Sequence, residues 1–233
     1  MSVLGSFRNA ESVRLVHTQC PQPQSVYNQC AFSACEGGKI DVVKFLFENE
    51  LVDVHARRDR FGRTMAHAAV IMLNSTIETL RYLRSVGADL NEHDQNGDHC
   101  MHVATRTRHP EHEHVLLFLI KECNVDVNNV ENADGERPLH CAAGVGNVPT
   151  TKMLLENGAD PNVKDKIGNR PIDFAAAWGR LDALKLLVEA GAEPNLRVCM
   201  TDIIADRKRR KWHATRLTGL EEVATYLRNL HHA

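Results

Sequence analysis

Apolar residues along this chain fall in short bursts separated by polar, glycine-bearing breaks. Val42, Val43, Phe45 and Leu46 form one burst, and Leu80 with Leu83 a second. Val115, Leu116, Phe118 and Leu119 form a third; Met153, Leu154 and Leu155 a fourth; Leu184, Leu186 and Leu187 a fifth. Positions three and four apart share one face of a helix, so each burst is the apolar stripe of a short amphipathic helix. A single helix pair cannot bury such a stripe. Stacked neighbours can, and the pattern therefore predicts an all-α array of antiparallel helix pairs.

The breaks between the bursts repeat. Gly62-Arg63-Thr64-Met65-Ala66-His67 returns as Gly97-Asp98-His99-Cys100-Met101-His102, then Gly135-Glu136-Arg137-Pro138-Leu139-His140, then Gly168-Asn169-Arg170-Pro171-Ile172-Asp173. The four glycines are 35, 38 and 33 residues apart, a period that marks a repeat array. First helices are expected near 64–72, 100–107, 138–145 and 171–178. The second helices end in Gly87-Ala88-Asp89-Leu90-Asn91, Gly158-Ala159-Asp160-Pro161-Asn162 and Gly191-Ala192-Glu193-Pro194-Asn195, with a worn copy at Asn124-Val125-Asp126-Val127-Asn128. A glycine opening each repeat suits a turn position with positive φ. Pro138 and Pro171 suit the first helical position, where the missing N–H costs nothing. The glycine of the second phrase suits a left-handed helix end.

On these phrases the chain resembles the ankyrin-repeat family over roughly residues 27–197. The resemblance implies an ankyrin-repeat solenoid of antiparallel helix pairs with short projecting β-hairpin loops, working by contact with another protein and not by catalysis. Repeats are placed at 24–58, 59–93, 94–131, 132–164 and 165–197. Residues 1–23 precede them, with a capping helix over Ser6–His17; 198–233 form a degenerate sixth repeat or cap, in which Thr201–Ala205 opens one helix and Leu220–Leu230 is the next. Arg137 and Arg170 stand where the family has a capping threonine, which survives only as Thr64. That change removes a side-chain cap, a loss of about 1 kcal/mol per helix. In the family the repeat histidines, here His67, His102 and His140, bond locally to the cap and to the neighbouring loop. The family register puts partner contact on a concave face of hairpin tips and first-helix ends. The residues expected to bind a partner are Arg60, Phe61, Arg63, Ile71, Met72, Arg106, Ile167 and Trp178. Other outward tip positions are Gln95, Asn96, Asp98, Ala133, Asp134, Glu136, Lys166 and Asn169; Thr107, Gly144, Val145 and Ala177 are helix ends.

Composition narrows the function further. A net charge of −2 over 233 residues gives no global field for nucleic acid. The odd count of 7 cysteines reads as reduced thiols in a cytoplasmic or nuclear compartment. No leader is expected, and the longest apolar run, Val115–Ile120, is too short to span a membrane. Hydrolase triads and phosphate-cradling loops are not evident, and Gly144-Val145-Gly146 belongs to a helix-to-helix turn. No enzyme activity, cofactor or metal is expected, and a monomer is favoured. His99, His102, His109, His112 and His114 are crowded in sequence. They carry the alternative function, a metal- or pH-responsive regulator, although a solvated inserted loop is the plainer reading. His112 and His114, two apart, fall on different helix faces. The cationic run Arg207-Lys208-Arg209-Arg210-Lys211 beside Trp212 reads as a solvated segment, open to nuclear import or to an acidic partner.

Overall fold

The computed structural model describes residues 9–56, 61–71, 77–106, 111–193 and 214–231. Arg60, Met72, Thr107, His109, Thr201–Ala205, Arg207–Lys211 and Trp212 lie outside the described residues. The chain divides into two compact units, Met1–Ala104 with His114–Phe118, and Thr105–Glu113 with Leu119–Ala233. The fold class is all-α. Among the described residues no helix is long and apolar enough to cross a membrane.

The first unit opens with α1 (Ala10–Gln19), which Asn9 caps by accepting the Ser12 N–H. Then come α2 (Gln24–Glu36) and α3 (Ile40–Glu48), α4 (Met65–Ile71) and α5 (Ile77–Ser85), and most of α6 (Cys100–Thr105). α2 lies against α4, α3 against α5, and each pair also packs on itself. Phe32, Leu46, Met65, Leu80 and Leu83 are fully buried between them. α1 rests on α3; Val13 is buried, and the His17 Nδ1 lies 2.9 Å from the Tyr27 hydroxyl.

α7 (Glu111–Lys121) contributes to both units. In the second unit α8 (Pro138–Val145) pairs with α9 (Val148–Glu156), and α10 (Pro171–Ala177) with α11 (Leu181–Glu189). α8 lies against α10, and α9 against α11, around Leu139, Leu154, Ile172 and Leu184. α8 and α10 begin at Pro138 and Pro171. α12 (Ala214–His231) closes over α11 and α10, burying Leu220, Val223 and Leu227. The approach is tight: a Cβ on Gly219 would stand 2.7 Å from the Gly179 carbonyl oxygen.

The loops follow one design. Asp94, Asn132 and Asp165 each accept two backbone N–H groups through Oδ1, from residues two and four ahead. Gly97, Gly135 and Gly168 follow with φ of 71°, 77° and 92°, a region closed to most side chains. The hairpins are too short for strands, and among the described residues only His93 and His99 make a β-bridge.

Candidate functional site: the first helices of the second unit

Two of the repeat histidines, His67 and His140, tie a helix start to the next hairpin. In the first unit the His67 Nδ1 stands 2.8 Å from the Thr64 hydroxyl, and Nε2 stands 2.7 Å from the Asp98 carbonyl. In the second, the His140 Nδ1 accepts the Arg137 N–H at 3.0 Å, so Nε2 carries the proton and donates to the Asn169 carbonyl at 3.2 Å. Burial pushes the His140 pKa down, which keeps the ring neutral. Both nitrogens of these rings are structural.

The arginines in the cap position do more than the sequence suggested. Neither Arg137 nor Arg170 caps its helix through the side chain. The box is closed from the other side, where the Asp173 Oδ2 accepts the Arg170 N–H at 2.8 Å as His140 does for Arg137. The guanidinium groups then reach loop carbonyls. Arg137 Nε donates to Asn128 at 2.6 Å and its Nη1 to Lys164 at 3.3 Å; Arg170 Nη1 donates to Glu193 at 2.6 Å. The expected loss of a cap is thus offset by charged hydrogen bonds across the loops.

Between α8 and α10 lies a pocket of about 580 Å³. Its floor is Cys141, Gly144 and Val145 of α8, with Phe174 of α10, and Trp178 at the end of α10 forms a wall. Phe174 meets the His140 ring edge-on, 5.2 Å between centroids. Three charged side chains line the rim: Arg106, Glu136 and Arg180. The Glu136 Oε2 accepts the Asn132 amide at 3.0 Å and lies 3.9 Å from the Arg106 guanidinium. Arg180 Nε donates to the Gly144 carbonyl at 3.2 Å. Its aliphatic stem crosses Gly146, whose φ of 75° and missing Cβ leave room for it.

Of the residues expected to meet a partner, Arg106 and Trp178 come together at this pocket. Ile167, at a hairpin tip of the same unit, is 84% exposed, and Trp178 is 42% exposed. In the first unit Phe61, Arg63 and Ile71 are only half-buried, and the Arg63 guanidinium stacks on the Phe61 ring at 5.1 Å. Asp98, read as an outward tip position, is buried. Its N–H is bound by Asp94, which draws the residue inward. Sequence reasoning missed Cys141, Phe174 and Arg180. The available signal was Gly144 itself, a glycine at a helical position where Ala177 stands 33 residues on.

The His-rich stretch is not a loop where it is described. Glu111 to His114 form the first turn of α7, with His112 buried and His114 exposed. Among the described residues no group of three His, Cys, Asp or Glu side chains is placed to hold a metal ion. Among the described residues no two cysteines are joined in a disulfide. Burial pushes the Cys35 thiol up to about 12 and raises that of Cys30, so neither readily forms thiolate.

The family profile described as ankyrin repeats matches residues 31–129 and 101–198, well over half the chain. The chain belongs to the ankyrin-repeat family. It is 35% identical over 130 residues to an ankyrin repeat protein of Fowlpox virus (strain NVSL), covering 55% of this chain and 28% of that protein. Over 71 residues it is 38% identical to the ankyrin repeat protein nuc-2 of Neurospora crassa, covering 30% of this chain and 6% of that one. It is also 28% identical over 130 residues to the human transient receptor potential cation channel subfamily A member 1, covering 56% and 11%. The chain thus spans less than a third of the length of each of these relatives. Ankyrin repeats are in general protein–protein interaction modules.

Proposed function

We propose that this ankyrin-repeat protein is a non-catalytic binding module, a scaffold, adaptor or inhibitor, that takes a partner protein on its hairpin tips and first-helix ends. The observation that carries the reading is the exposure of Ile167 and Trp178, large apolar side chains at a hairpin tip and a first-helix end of one unit. Apolar anchors of this size dominate protein interfaces. The buried thiols and the doubly bonded His67 and His140 support a structural use of groups that an enzyme would employ as nucleophile or base. We place the protein in the cytoplasm or nucleus, with Arg207–Lys211 as a segment open to import or to an acidic surface.

A photo-crosslinker at Ile167 should give a discrete protein adduct in a cell lysate. The same group at Lys152, exposed on the second helix α9, should not. Equal adducts from both positions would refute the assignment of the face.

A further inference from the structure

Glycine at 144 is not explained by the backbone. It lies within α8, and it is not among the residues with positive φ. One repeat on, alanine occupies the same position as Ala177. Glycine is a poorer helix former than alanine because it loses more backbone freedom on folding. A Cβ at 144 would stand 3.5 Å from Phe174 Cδ1 and 3.6 Å from Trp178 Cδ1, ordinary contact distances. Alanine would therefore fit. What the glycine does is leave the room of one methyl group beside the Phe174 and Trp178 rings at the pocket floor.

The rim gives the pocket a sign. Among the described residues that line it, Arg106 and Arg180 bring two positive charges and Glu136 one negative. His140 adds none, because burial holds its ring neutral. The Glu136 carboxylate is already shared among the Asn132 amide, the Cys141 thiol at 3.8 Å and Arg106. An apolar floor with a net positive rim selects an apolar side chain flanked by carboxylates.

We propose that this pocket docks a short acidic segment of a partner protein, seating one leucine-sized or aromatic side chain over Gly144 and setting its flanking carboxylates against Arg106 and Arg180. The proposal rests on the binding-module reading and names the partner chemistry of that face. A basic segment would face two guanidinium groups. A purely polar one would leave the Trp178 wall and Phe174 floor uncovered by apolar contact.

The test pans a random 12-residue peptide library displayed on phage against the full chain, then measures synthetic hits by calorimetry. The hits should be rich in Asp and Glu around one Leu, Phe or Trp. Their affinity should fall at least tenfold in Gly144→Leu, which fills the floor. It should fall several-fold in Arg180→Gln and on raising salt from 50 to 500 mM, as for a contact between opposite charges. Gly144→Ala is the folding control: it should melt no lower than wild type while weakening the hits less than Gly144→Leu. Hits that are basic, or that bind Gly144→Leu as well as wild type, would overturn the proposal. An Ile167 crosslink that persists in Gly144→Leu alongside such hits would discard the acidic pocket and keep the binding module. Loss of the Ile167 adduct from wild type would discard the module itself.

Discussion

The pair α2–α3 of the first unit and the pairs α8–α9 and α10–α11 of the second reach the same helix packing with different connectors. In the second unit the connectors recur. Asn128 gives its amide to the Gly158 carbonyl at 2.8 Å and accepts the Asp160 N–H at 2.9 Å; Asn162 does the same with Gly191 and Glu193 at 3.0 and 2.9 Å. Arg137 and Arg170 add their carbonyl bonds in the same register. Among the described residues the first pair shows none of these. Its α2 is held to α1 by His17 against Tyr27, and to the loop after α3 by the Asn28 side chain, which accepts the Asp53 N–H. After α3 its chain turns through Glu50 with φ of 54°, where α9 and α11 are followed by Gly158 and Gly191 at 86° and 88°. The apolar core is thus common property, while the asparagine and arginine loop bonds recur in the second unit and are not shown by the α2–α3 pair.

If that is right, core truncation should not distinguish the regions. Leu46→Ala and Leu187→Ala each remove a fully buried side chain, and each is expected to cost about 2–5 kcal/mol. Urea unfolding of the two variants checks this, and a large disparity would break the claim of a shared core.

Acid should distinguish them by degree, because the lowered His140 pKa of the second unit acts in the same direction as the more deeply lowered His99 pKa of the first. In the first unit His99 is fully buried, and burial together with the imidazoles of His102, His93 and His67 holds its pKa down to about 3. The folded value lies below the unfolded one. Stability is therefore complete above about pH 6.5 and falls as the unfolded chain takes up a proton that the folded chain refuses. The loss approaches about 1.4 kcal/mol per pH unit and levels off below about pH 3. Hydrogen exchange at pH 7 and pH 5 should show α4 and the start of α6 losing protection first. Equal loss in α8 and α10 would count against the difference.

Removing a periodic linker should be felt only in the second unit. Asn162→Ala deletes two loop bonds at the surface and is expected to cost about 1 kcal/mol, read as a lowered melting temperature. Least in size is Glu50→Gly, which relieves a left-handed backbone strained for a side chain and should stabilise by about 0.5–1 kcal/mol. A drop in melting temperature there would show that the glutamate side chain makes a contribution larger than the strain.

The helix pairs, the glycine turns and the proline starts could be read directly from the chain, because each follows from a local rule about periodicity or φ. The pocket was only half legible. Trp178 and Arg106 stood out as exposed helix ends, but Arg180 and Phe174 are brought to the same place by the stacking of α8 on α10, a long-range fact. Arg137 does lack a side-chain cap, as its sequence position implied. Its loop bonds were hidden for a similar reason: its partners at 128 and 164 are carbonyls, and a carbonyl has no residue-specific signature. Asp98 was placed outward because the pattern locates the tip but not the turn of backbone that Asp94 imposes.

The histidine link has a direction. His67 and His140 each give a proton forward, to the hairpin that follows. At the same place in α10 stands Asp173, whose Oδ2 accepts the Arg170 N–H and which carries no ring N–H to give forward. The pairs are therefore not interchangeable words but parts of an ordered phrase. Exchanging α8–α9 with α10–α11 in a shuffled gene would take the imidazole N–H away from the Asn169 carbonyl that receives it. It would also confront a following carbonyl with a carboxylate. A unit inserted between α9 and α10 keeps that order if it carries the histidine.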